Sequence, residues 1–231
     1  MENIMIIGTK KSLKKIAMCL TYATLLLQTQ AMEETLEANS FLEGKKYNLV
    51  GVALFSGADF VSNFVKCSTN STTSHVGVIL ADQKNENQWY CFESTGSASE
   101  VINGIYPHVH LTDWDSVVKG YDGRVSYRLF VFPDTERPDS DQVTNFVEEY
   151  EGKSYTRNPL KLLGALFAMN HSSKSEVLKT VFCSELTAKM LMETKVLKEG
   201  TESNYLPKHF RSKHNIDLES GAYLTTEFKA K

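Results

Sequence analysis

Two neighbouring segments with the two-residue period of β-strands constrain the fold of this chain most strongly. His75 to Ala81 and Gln88 to Ser94 are rich in β-branched and aromatic residues, and the polar residues 82–87 separate them. This pattern predicts an antiparallel hairpin. Because successive side chains of a strand point to opposite faces, Trp89, Cys91 and Glu93 are expected on one face of the second arm, opposite Tyr90 and Phe92.

The elements predicted around this hairpin indicate an α+β fold, because the strands come early in the chain and the helices come late. In strand Arg124 to Phe132, alternate residues from Val125 to Val131 are expected on one face. The other predicted strands are Tyr47 to Phe55, Ile105 to Leu111 and Ala222 to Phe228. The predicted helices are Ala58 to Lys66, Trp114 to Val118, Ser140 or Asp141 to Tyr150, Leu160 to Ala168 and Cys183 to Thr194.

Length and charge narrow the functional classes. The chain has 231 residues, enough for one good hydrophobic core in one domain. Its net charge is −3, without long blocks of one sign. A nucleic-acid-binding protein would show a basic stripe, so no nucleic-acid partner is predicted.

The N-terminus has the pattern of an export signal. Four lysines between positions 10 and 15 precede the apolar run Ile16 to Leu27, and Thr29-Gln30-Ala31 follows it. This predicts cleavage near Ala31 and a periplasmic or secreted protein, with a linker at 32–44 and the folded domain at 45–231. The apolar run is too short for a stable transmembrane anchor. The alternative is an N-terminal helix of a cytoplasmic protein.

The cysteines leave two interpretations open. If Cys19 is removed with the signal, Cys67, Cys91 and Cys183 remain. In an oxidising compartment Cys67 and Cys91 could form a disulfide, and Cys183 would stay a thiol. The alternative is that both are ordinary reduced or buried thiols.

No metal site and no cofactor are predicted. The chain has no CxxC motif, and His108-x-His110 lacks an obvious third ligand nearby. We expect His108, His110, His171, His209 and His214 to be surface or loop residues, since no motif surrounds any of them.

The candidate catalytic residues are Cys183, His75 and Glu93. Cys183 begins a predicted helix, where unpaired backbone N–H groups and the helix dipole lower a thiol pKa below about 8.5. His75 starts the first hairpin arm and Glu93 ends the second, so both are expected at the same end of the hairpin. Opposed Cβ atoms lie within about 5 Å, which is close enough for a carboxylate to orient an imidazole.

Four motifs in this order carry a family resemblance. They are Ser74-His75-Val76-Gly77-Val78, Phe92-Glu93-Ser94-Thr95, Gly152-Lys153-Ser154-Tyr155 and Phe182-Cys183-Ser184-Glu185-Leu186. Over roughly residues 45–215 the chain resembles the circularly permuted papain-fold thiol hydrolases, the YiiX-like relatives of the NlpC-type peptidases and amidases. In that group the His strand precedes the Cys helix, as it does here.

The resemblance implies a fold, a chemistry and a set of roles. The implied fold is an antiparallel sheet or barrel packed against helices, with Cys183 at a helix N-terminus as nucleophile. His75 would be the general base and Glu93 its orienting group, in a cysteine hydrolase that cleaves an amide bond through a thioester. Tyr155 and Ser184 would line the substrate or oxyanion site.

The substrate stays open at this point. A small peptide, an acyl-amide or a lipid each fits, because the wider fold includes lecithin retinol acyltransferase-like enzymes. The nucleophile motif is Phe-Cys-Ser-Glu rather than the Asp-Cys-Ser-Gly of classical NlpC peptidases, so peptidoglycan cleavage is not carried over. The alternatives are a lipid-directed thiol acyltransferase or phospholipase, and a catalytically silent binding module of the same fold. The oligomeric state is also open.

Overall fold

The computed structural model describes residues 44–58, 60–94, 109–133, 137–153, 183–214 and 216–231. Its contacts divide the chain into two units, Met1–Gly44 and Lys45–Lys231. Only Gly44 of the first unit is described, so the expected signal and residues 32–43 of the expected linker lie outside the described residues. The predicted helix Leu160 to Ala168 lies outside them as well.

An open seven-stranded antiparallel sheet forms the centre of the second unit. Its spatial order is β4-β3-β2-β1-β5-β6, and β7 also pairs with β5. Within the described residues the sheet is not closed, so the barrel form of the expected fold is not seen. The strands are β1 (Tyr47–Gly57), β2 (His75–Asp82), β3 (Trp89–Ser94), β4 (Val109–Asp113), β5 (Gly123–Val131), β6 (Tyr223–Leu224) and β7 (Phe228–Lys229).

Four α-helices are described, α1 (Phe60–Thr69), α2 (Trp114–Gly120), α3 (Ser140–Tyr150) and α4 (Cys183–Glu193), with short 3-10 turns at Glu202–Asn204, Pro207–Phe210 and Glu219–Gly221. The mixed α+β class is therefore confirmed. The N-cap of α3 is Asp139, one residue before the expected cap, because its side chain accepts a hydrogen bond from the backbone N–H of Asp141.

Most predicted elements occur with small shifts at their ends. The strand expected at 105–111 is described from Val109 to Asp113, and residues 105–108 lie outside the described part. The strand expected at 222–228 is instead two short strands, β6 and β7, that pair separately with β5. The predicted hairpin is β2–β3, with Ile79 opposite Cys91.

The two faces of the sheet carry different layers. On one face Phe55, Ile79 and Cys91 form a buried cluster with Trp114 of α2. On the other face Phe92 meets Phe146 of α3 edge-to-face, with ring centroids 6.2 Å apart. The predicted alternation along β3 is therefore confirmed.

Strand β5 is buried on both faces, which the alternating pattern did not predict. Val125 belongs to the α2-side cluster, as expected. Arg128, three residues later and on the opposite face of the strand, is only 5% exposed, and its guanidinium donates hydrogen bonds to the backbone carbonyls of Phe210, Leu224 and Thr225. These bonds compensate the burial of a charged side chain and tie the C-terminal segment to the sheet.

Candidate functional site

The β2–β3 register places His75 and Glu93 on the same face as diagonal neighbours. Val78 lies opposite Phe92, so continuing the antiparallel register puts Gly77 opposite Glu93 and His75 two residues beyond it. Diagonal neighbours across a strand pair are within reach of long side chains. The prediction that His75 and Glu93 lie close together at one end of the hairpin is confirmed.

Gly77 explains how the carboxylate reaches the imidazole. A Cβ atom built at Gly77 would lie 2.9 Å from Cys91 Sγ and 3.1 Å from Glu93 Cβ. Both distances are shorter than normal van der Waals contact. Glycine at this position therefore leaves the space that the Glu93 side chain occupies on its way to His75.

His75 and Glu93 form a largely buried hydrogen-bonded pair. Nε2 of His75 is hydrogen-bonded to Oε2 of Glu93, and the two side chains are 17% and 6% exposed. The Phe55 ring packs on the imidazole with a centroid distance of 5.1 Å. Burial opposes ionisation of Glu93, but the hydrogen bond and charge of His75, together with the charge of His110, lower the net pKa of the Glu93 carboxyl group.

Cys183 is the third member of this group. Burial opposes protonation of His75, but the charge and hydrogen bond of Cys183, followed by those of Glu93, raise the net pKa of His75 well above its ordinary value. The Cys183 side chain is therefore within interacting distance of the imidazole. A thiol, an imidazole and a carboxylate are thus brought together from α4, β2 and β3.

The surroundings of Cys183 are described only on its C-terminal side. Helix α4 is described from Cys183 to Glu193, and residues 154–182 lie outside the described residues. Ser184 is buried, and the Thr187 hydroxyl donates to the backbone carbonyl of Cys183 at 3.0 Å. Tyr155 lies outside the described residues.

His110 is a site residue that the sequence did not reveal. The prediction of a surface or loop histidine is wrong, because His110 lies in β4 directly opposite Glu93. Its Nε2 is 3.7 Å from Glu93 Oε1, and its side chain is 20% exposed. The pairing register of β3 and β4 brings the two side chains together. The connection between these strands includes residues outside the described part, so the hairpin argument used for β2 and β3 did not apply.

Glu151 is a second carboxyl group near His110, just after α3. Its Oε1 accepts a hydrogen bond from the Leu111 backbone N–H at 3.3 Å, and its Oε2 is buried with no partner among the described residues. Burial raises the pKa of Glu151 to about 7, against the opposing effects of the Leu111 hydrogen bond and the His110 charge. No sequence motif marked this residue.

Three further observations on the described residues concern metal binding, disulfide formation and a surface cavity. Among the described residues, no group of three or more His, Cys, Asp or Glu side chains could hold a metal ion. Cys67 is exposed and Cys91 is buried, and the structure shows no disulfide between them. A surface cavity of about 470 Å³ is lined by polar residues that include Lys66 and Arg211, but by none of the three candidate catalytic residues.

Within the described ranges, each helix is too short or too polar to cross a membrane.

Comparison with known proteins gives a distant likeness to a solved structure. No family model matches the sequence, and no curated protein matches it. A solved structure, the metalloprotein yiiX from Escherichia coli O157:H7, DUF1105, is similar with a TM-score of 0.41 and 16% sequence identity. The match covers 64% of this chain and 66% of that chain, slightly less than two-thirds of its length. This likeness to YiiX is too weak to carry an assignment of family or activity.

Proposed function

We propose that this protein is a cysteine hydrolase that cleaves an amide bond through a thioester, with Cys183 as nucleophile, His75 as general base and Glu93 as its orienting group. The observation that carries the proposal is the buried His75–Glu93 pair, together with the interaction of Cys183 with the same imidazole. Nucleophile, base and orienter within reach of each other are the recognised requirements of thiol catalysis.

The ring geometry supports these roles. Because Glu93 binds Nε2 of His75, the nitrogen left to face the thiol is Nδ1. A buried carboxylate at Nε2 fixes the orientation of the ring and stabilises the imidazolium form. This arrangement favours transfer of the thiol proton to His75, which leaves a Cys183 thiolate beside an imidazolium.

The proposed reaction proceeds in two steps. The thiolate of Cys183 attacks the acyl carbon, the C–N bond breaks, and the leaving amine takes the proton from His75. His75 then removes a proton from water, and the resulting hydroxide attacks the thioester carbon. The C–S bond breaks, the acid product leaves, and the Cys183 thiolate and His75 imidazolium pair is restored. If Cys183 lies at a helix N-terminus, the backbone N–H groups there would stabilise the oxyanion that forms when the thiolate attacks the acyl carbon.

The reactivity of Cys183 tests the proposal, and the exposed Cys67 is an internal reference. An ordinary thiol with a pKa of about 8.5 is only about 0.3% thiolate at pH 6. We expect iodoacetamide to modify Cys183 at pH 6 at least tenfold faster than Cys67, measured by peptide mass spectrometry. His75→Ala should remove the difference. If Cys183 followed the pH profile of Cys67 in the wild type, the hydrolase proposal would fail and the binding-module alternative would stand.

The substrate class needs a separate experiment. Wild type and Cys183→Ala would be incubated in parallel with a peptide mixture, with N-acyl amides and with a lipid extract. Mass spectrometry would then identify species that change only with the wild type. A change in amide-containing species supports the proposal, whereas a change confined to ester lipids would support the lipid-directed alternative.

A further inference from the structure

Three ionisable side chains form a row across three adjacent strands. His75 lies on β2, Glu93 on β3 and His110 on β4, and Glu93 is directly opposite His110. Each carboxylate oxygen of Glu93 faces a different histidine: Oε2 binds His75, and Oε1 lies 3.7 Å from His110 Nε2. Glu93 is therefore held from both sides.

Burial makes this second contact consequential. Glu93 is 5% exposed, so water cannot readily compensate an oxygen that loses its protein partner. A separation of 3.7 Å is too long for a good hydrogen bond, and the contact acts instead as a short electrostatic interaction. Removing it would favour protonation of Glu93 or rotation of its carboxylate group, and either change weakens the bond to His75.

We propose that His110 is a positioning residue of the candidate site, which holds Oε1 of Glu93 so that Oε2 stays directed at His75. This inference rests on the proposed function for its catalytic meaning. In this role His110 acts on the imidazole of His75 through Glu93.

Two carboxyl groups surround His110. Glu93 lies next to it on β3, and Glu151, which follows α3, is held at β4 by the Leu111 backbone N–H and interacts electrostatically with His110. In agreement, the charge of His110 contributes to the lowered pKa of the Glu93 carboxyl group.

The test measures the pKa of His75 by NMR titration of the histidine ring signals in the full chain. The variants are His110→Thr, which suits a strand but is too short to reach Glu93, and His110→Gln, which keeps an amide donor. His214→Gln is the matched control, because His214 is exposed and lies outside this row. All are measured in a Cys183→Ala background, so the result does not depend on thiol chemistry.

We expect His110→Thr to lower the pKa of His75 by about one unit, His110→Gln to lower it by less than half of that, and His214→Gln to leave it unchanged. With Cys183 present, we expect His110→Thr to slow iodoacetamide modification of Cys183 by about three- to tenfold at pH 6. A His75 pKa equal to that of the control in both His110 variants would overturn the inference.

Two further observations keep the outcomes separate. If His110→Thr does not fold, Glu93→Gln must shift the ring signals of His110 in the spectrum, and the absence of that shift would equally overturn the inference. If the proposed function is wrong, Cys183 of the wild type reacts like Cys67, whatever the His75 titration shows. If Cys183 of the wild type is reactive but the His110 variants leave the pKa of His75 unchanged, the role of His110 is refuted and the proposed function is not.

Discussion

Replacing Glu151 by glutamine should make the protein more stable than the wild type at alkaline pH. At acidic pH the two proteins should have similar stability. Burial raises the pKa of Glu151 from 4.5 to about 7. The folded protein therefore retains a proton that the unfolded chain releases as the pH rises through this window. The free energy of unfolding must then fall as the pH rises from about 4.5 to 7, by the linkage between proton binding and stability.

The magnitude follows from the two pKa values. The difference between 4.5 and about 7, at about 1.4 kcal/mol per pH unit, is about 3 kcal/mol when the carboxyl group is fully ionised. Glutamine keeps the oxygen that accepts the Leu111 hydrogen bond but carries no charge. We therefore expect a small stability difference from the wild type at pH 4.5 and a gain of up to about 3 kcal/mol at pH 8.

Urea unfolding at pH 4.5 and pH 8, followed by tryptophan fluorescence, measures this difference. Glu149→Gln is the matched control, because the Glu149 side chain is 60% exposed and pairs with Lys153 on the helix surface. We expect the control to change stability by less than about 0.5 kcal/mol at either pH. Parallel stability curves for the wild type and Glu151→Gln between the two pH values would refute the reasoning.

Three further predictions test the architecture of the site and the core. Gly77→Ala introduces a Cβ atom 2.9 Å from Sγ of Cys91 in β3, so the free energy of unfolding in urea should fall by about 1–3 kcal/mol and iodoacetamide labelling of Cys183 should slow. In the control Gly120→Ala, the new Cβ has nothing within 4 Å, so the stability should hardly change. Cys183→Ala should lower the pKa of His75 in an NMR titration, because the charge and hydrogen bond of Cys183 help to raise it, and an unchanged value would contradict their contact. Arg128→Met leaves three backbone carbonyls without their donor and should lower the free energy of unfolding by about 3 kcal/mol or more, and a loss below about 1 kcal/mol would contradict this role.

Local patterns predicted the elements that form from neighbouring residues. The hairpin β2–β3 could be predicted because its arms alternate and a short polar turn joins them, which leaves few possible pairings. The proximity of His75 and Glu93 follows from that hairpin alone. Counting from the turn suggested that His75 and Glu93 lie opposite each other, whereas the observed register makes them diagonal neighbours. The spacing from the turn gives the register of the two arms only approximately.

Contacts between distant parts of the chain were not predictable in the same way. Arg128 reads as an outward polar residue of β5, but the C-terminal segment covers it and supplies three carbonyl acceptors. A charged residue in an alternating pattern favours solvent exposure unless partners from elsewhere satisfy it, and those partners are 82 to 97 residues away in sequence.

The sequence by itself determined the order of strands and helices and the candidate trio of Cys183, His75 and Glu93, because period, turn residues and motif order are local properties. Only the tertiary structure decided that His110 faces Glu93 and that Glu151 lies near His110. The pairing of β3 with β4 and the packing of the end of α3 against the edge of β4 place these side chains. Such registers depend on the burial of whole sheet faces rather than on any residue near them in the chain.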